Sequence, residues 1–299
     1  MTGKAVLFVH LRQVALVLAI GLVVAVVAYA VATHTEAIRA FTYDQLRDRG
    51  KAVALARTRG FMKLESQHYM LEYEAPDAAV APMVLRTAES FYGPVTRDLG
   101  YTPHGKVTLI LYPDREELSN SFGWASTQDA MGVYYTGVIR VLSPRVWTGT
   151  DDPVRMERSF RKNGPIAHEL THYVLDYKTA GNYPRWFTEG LAQYEEHRLT
   201  GFVWIEPEST FNQNLYTLAD LTDRFDRLAN QALAYREAFS LVSFVSERFG
   251  PDRLNALIDD LASGTSFDRA MKQHVGLAGD DLQKAWLTWV YDHPNRWNQ

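Results

Sequence analysis

Apolar positions along this chain change their spacing several times, and each change predicts a different element. Residues 14–32, VALVLAIGLVVAVVAYAVA, are apolar on every face and carry no charge. As a helix rising 1.5 Å per residue they span about 28 Å, close to the hydrocarbon thickness of a bilayer. Residues 33–60 are charged and alanine-rich without a strand pattern, and read as a helical juxtamembrane spacer. Strand-like and helical stretches then alternate: HYMLEYE at 68–74, a helical stretch at 78–100, KVTLILY at 106–112 and GVYYTGVIRVLS at 132–143. Residues 144–165 are rich in Asp, Arg and Gly and read as a loop. Gly164-Pro165 opens a helix through IAHELTHYVLDY, Pro184 opens another, and from Leu218 onward the pattern is helical with breaks at Gly250, Gly264 and Gly276. The fold class expected is α+β. A small sheet with helical cover precedes a mostly helical half, in a folded domain over residues 61–299 that follows one transmembrane helix.

Composition narrows the partners and the compartment. The 299 residues are 46% hydrophobic and 22% charged, enough to bury a substantial core. Net charge is −4, and no run of Lys or Arg tracks a phosphate backbone, so nucleic acid is not an expected partner. There is no cysteine. Disulfides and thiol nucleophiles are therefore excluded, and a metal would have to be held by His and carboxylates. Lys4 and Arg12 precede the apolar run, which puts residues 1–13 in the cytoplasm and the folded domain outside it. The run is longer than a usual signal-peptide core and is read as a retained signal anchor. The alternative is a cleaved and secreted chain, using the AYA pattern at 28–30 or the AVA pattern at 30–32.

The candidate chemistry lies in HELTH. His168 and His172 stand one helical turn apart, rotated by roughly 40° and separated by about 6 Å along the axis, so both imidazoles can address one point. Such a pair suits Zn²⁺, and Glu169 beside it reaches a water at the metal rather than the metal itself, as a general base. A catalytic zinc site usually has three protein ligands. The metzincin spacing would need Gly at 175 and His at 178, where this chain has Leu175 and Lys178. In the next helix, PRWFTEGLAQYEE, Glu189 is the candidate third ligand, followed by a small Gly190 that would let this helix pack closely on the HELTH helix. Glu195 and Glu196 are alternatives. The remaining histidines have no site-like spacing, and Trp286 and Trp289 fit a helical core face.

HELTH followed by Trp186, Glu189, Gly190 and Ala192 resembles the gluzincin branch of zinc peptidases, and within it the peptidase MA-like group. The resemblance runs over residues 68–289, and it is specific at these two motifs. It implies a zinc peptidase fold with Glu189 as the third ligand and a tyrosine as oxyanion donor, for which Tyr235 is the candidate. By the same analogy the strand GVIRVLS offers a sheet edge to an extended polypeptide substrate. Two departures stand out. No Gly-x-Met-Glu-Asn motif occurs, which disfavours an aminopeptidase, and Gln193 replaces the aspartate that thermolysin-like enzymes carry four residues past the glutamate ligand. The partner of a zinc histidine is then undetermined, with Asp176 as one candidate. The function expected is a membrane-anchored, extracytoplasmic zinc metalloendopeptidase. A non-catalytic binding module of the same fold in the cell envelope is the alternative.

Overall fold

The computed structural model describes residues 20–24, 35–123 and 130–297. Most of the apolar run at 14–32 lies outside them, and among the described residues no helix is long and apolar enough to cross a membrane. Two compact units are distinguished, Met1–Asp44 and Gln45–Gln299. Helix α1 (Thr35–Arg57) is helical as expected of the spacer. From Gln45 onward it belongs to the larger unit, where Arg47 and Ala54 are buried. Its second half is therefore packed structure.

Five strands form one mixed sheet: β1 (Met62–Glu65), β2 (Tyr69–Tyr73), β3 (Val107–Tyr112), β4 (Gly132–Tyr135) and β5 (Val138–Leu142). Their order is β1-β2-β3-β5-β4, with β2, β3 and β5 parallel and both edge strands antiparallel to their neighbours. All residues of β3 and β5 are buried, and successive side chains go to opposite faces, as period two demands. Leu109, Leu111, Ile139 and Val141 enter the main core with α2 (Ala81–Asp98). Ile110, Tyr112, Val138 and Leu142 enter a second cluster with Ala54 of α1 and Leu118 of α3 (Arg115–Phe122).

The apolar run 132–143 is a hairpin rather than one strand. Thr136 and Gly137 both have positive φ, 48° and 76°, the backbone of a two-residue turn whose twist matches its flanking strands. This moves the sheet edge: β5, carrying GVIRVLS, lies between β3 and β4, and the edge beside the HELTH helix is β4. The expected loop 144–165 also contains helices, α4 (Pro144–Trp147) and α5 (Pro153–Asn163). Asp152 caps α5 by accepting from the N–H groups of Val154 and Arg155, and Met156 and Phe160 give it a buried stripe one turn apart.

The helical half starts with α6 (Ile166–Thr179), which carries HELTH, and α7 (Arg185–Thr200), which carries Glu189. Next come α8 (Leu218–Arg224), α9 (Gln231–Phe249), α10 (Pro251–Ala262), α11 (Phe267–His274), α12 (Gly279–Asp292) and the short α13 (Pro294–Trp297). Gly190 does permit a close approach, but toward α9 rather than α6. A Cβ there would lie 2.2 Å from the Ala238 carbonyl oxygen. Trp286 is buried as expected and donates its indole N–H to Ser240 Oγ at 2.9 Å.

Candidate metal centre

The spacing of HELTH and the antiparallel return of α7 bring His168, His172 and Glu189 to one point. The two Nε2 atoms are 3.1 Å apart. Glu189 Oε2 is 3.4 Å from Nε2 of His168 and 3.5 Å from Nε2 of His172. Donors about 2.0–2.1 Å from a tetrahedral ion stand roughly 3.3–3.4 Å from one another. The donor set therefore fits a zinc-sized ion, and its chemistry, two imidazoles and a carboxylate, is that of a three-ligand catalytic site.

The outer ring nitrogens are already engaged, which aims each Nε2 inward. Nδ1 of His172 is 2.6 Å from Thr188 Oγ1, and Nδ1 of His168 is 3.3 Å from Glu196 Oε2. With Nε2 reserved for a metal, both Nδ1–H groups donate outward and fix the ring orientation. Glu196, weighed from sequence as a third ligand, thus stands behind a histidine. It lies seven residues past Glu189, two turns along the same helix face. Asp176 has other partners among the described residues. Its carboxylate accepts from Arg47 Nη1 at 3.1 Å, Tyr134 Oη at 2.6 Å and Tyr183 Oη at 3.3 Å. Gln193 has a different task, donating to the Tyr235 carbonyl at 2.8 Å and so tying α7 to α9. Glu195 is buried beside Arg198, away from the donor set.

Glu169 lies beside the donor set without joining it. Its Oε2 accepts the backbone N–H of Tyr134 on β4 at 2.6 Å, which leaves Oε1 for other partners. Burial pushes its carboxyl up, against the pull of His168 and His172, toward the range where it can accept and return a proton. Glu189 differs. Burial opposes its charge, but Arg185 and the two histidines hold its carboxyl well below the usual range, so it stays an anionic donor. His168 is likewise disfavoured as a cation by burial, an effect outweighed by Glu189 and Glu196, which raise it well above its ordinary value.

Tyr235 sits in the second turn of α9, its ring edge-on to Trp204 at 5.3 Å and 5.2 Å from Phe225. Burial, then the negative charge of Glu189, keeps its hydroxyl protonated, and the field of Glu169 adds to this. Sequence reasoning missed Thr188, Tyr134 and Arg185. Thr188 and Arg185 precede Glu189 by one and four residues. The part played by Tyr134 depends on sheet order, which local pattern does not reveal.

No curated protein matches the chain. A family profile described as the peptidase MA superfamily matches residues 95–292, about two thirds of the length, and that span holds HELTH, Glu189, β4 and Tyr235. The geometry and the match agree, and the chain belongs to the peptidase MA superfamily.

Proposed function

We propose that the chain is a zinc metalloendopeptidase, with His168, His172 and Glu189 holding the metal and Glu169 as general base. One observation carries this reading: three inward donors lie 3.1–3.5 Å apart, with the buried carboxylate of Glu169 beside them and outside the set. A zinc ion in such a site polarises the scissile carbonyl and lowers the pKa of water. Glu169, held by the Tyr134 N–H, takes a proton from the attacking water and returns it to the leaving nitrogen. The protonated hydroxyl of Tyr235 donates to the negative charge developing on the carbonyl oxygen. β4 is the edge strand of the sheet beside the donor set and can offer those backbone groups not engaged by Glu169 to an extended polypeptide.

The proposal includes location. The apolar run at 14–32, with Lys4 and Arg12 before it, supports a single-pass anchor and a catalytic domain outside the cytoplasm. Substrates are then envelope or secreted polypeptides near the membrane. Elemental analysis of the full chain tests the metal assignment. One zinc per chain is expected in the wild type and none in His172→Ala; equal zinc in the two would reject it.

A further inference from the structure

Glu189 divides its two oxygens between different partners. Oε2 faces both histidine nitrogens, at 3.4 and 3.5 Å, while Oε1 forms a close ion pair with Arg185 Nη1. Arg185 and Glu189 are one turn apart on α7, so the pair needs no distortion of the helix. The guanidinium is itself braced from outside, Nε lying 3.2 Å from Asp226 Oδ1. The Glu189 side chain is only 3% exposed, whereas that of Arg185 is 41% exposed, so the arginine reaches inward from the surface to the carboxylate.

We propose that Arg185 is a positioning residue that limits Glu189 to one-oxygen ligation and so keeps the metal's fourth position open. This rests on the metal site proposed above. A carboxylate can bind an ion through one oxygen or both, and two histidines with a chelating carboxylate already supply four donors. The reaction needs a vacant position beside three protein donors. A guanidinium held on Oε1 through Nη1 occupies the lone pairs that chelation would use, while its Nε is turned to Asp226. Asp226 fixes the guanidinium, because a freely rotating Arg185 would release Oε1. The arginine also places a positive charge near the ion, which opposes metal binding. A residue selected for affinity alone would not be cationic.

Cobalt(II) in place of zinc in the full chain reads the coordination number directly, because geometry governs the intensity of its visible d–d bands. The wild type is expected to show intense four-coordinate bands at one cobalt per chain. Arg185→Met should bind cobalt at the same stoichiometry with its bands weakened about twofold or more, as the second oxygen joins the ion. It should hold the metal as tightly as the wild type or more tightly in a chelator competition. Asp226→Asn, a change at an exposed pair that leaves folding undisturbed, should weaken the bands in the same direction by less. Unchanged bands in Arg185→Met, loss of its cobalt, or unchanged bands in Asp226→Asn would each overturn the proposal. A wild type that takes up no cobalt would instead remove the metal site on which it rests.

Discussion

Tyr134 donates its backbone N–H to Glu169 Oε2 at 2.6 Å, joining the edge strand of the sheet to the side chain that follows His168 on its helix. Strand and helix come this close because Gly132 has no side chain. A Cβ there would lie 2.6 Å from Pro165 Cβ and 3.1 Å from Glu169 Cγ. Gly132→Ala should push β4 from α6 and lengthen the Tyr134–Glu169 bond. A hydrogen bond to a charged group contributes about 1.5–3 kcal/mol, so kcat/KM should fall roughly 10- to 100-fold. Zinc content should not change, since neither histidine is touched. Steady-state cleavage alongside elemental analysis checks both parts, and unaltered turnover would show that the bond does not position Glu169.

The same contact shows where sequence reading succeeds and where it stops. His168 and His172 are legible because helical spacing alone decides that they share a face. Glu189 comes from the next helix, and the three together form a group that could hold a metal. The identity of the edge strand is not local. An apolar run of twelve residues reads the same whether continuous or folded at Thr136-Gly137, and only pairing with β3 places β5 inside the sheet. Arg47 falls in the charged, alanine-rich stretch 33–60 that reads as a spacer. It is buried because Asp176 neutralises it at 3.1 Å and the Tyr177 ring lies under its guanidinium, 3.8 Å from the centroid.

Gly190 sets the distance between α7 and α9. An alanine Cβ would meet the Ala238 carbonyl oxygen at 2.2 Å and Val242 Cγ2 at 2.8 Å, and backbone yields less readily than a side chain. Overpacking of this kind costs about 1–3 kcal/mol, more than the roughly 1 kcal/mol that alanine gains over glycine in a helix. Gly190→Ala should lower the melting temperature by several degrees. It should also weaken zinc in a chelator competition, because Glu189 is the preceding residue. A variant as stable as the wild type would mean that the helices separate without cost.

Glu237 predicts a pH dependence away from the metal. It is buried on α9, with Oε1 accepting the Tyr216 N–H at 3.0 Å and Oε2 without a hydrogen-bond partner among the described residues. Burial pushes its carboxyl up to about 8 from an ordinary 4.5. Between those values the unfolded chain has lost the proton and the folded chain has kept it. The stabilisation is therefore full below pH 4.5 and is lost as pH rises through 8. At 1.4 kcal/mol per unit the loss amounts to about 3–5 kcal/mol. Glu237→Gln keeps the acceptor for Tyr216 and removes the charge. Denaturant unfolding at pH 5 and pH 9 should show a smaller difference in the variant than in the wild type. An equal difference would place the titration elsewhere.

Cleavage of an unfolded polypeptide by the zinc-loaded full chain, compared with Glu169→Gln at equal zinc content, tests the central claim most directly. Glu169 is outside the donor set, so the variant should retain one zinc per chain while losing the base, and turnover should fall by about 10²- to 10⁴-fold. Equal turnover in the two proteins, or none from a wild type carrying its full zinc, would contradict the account.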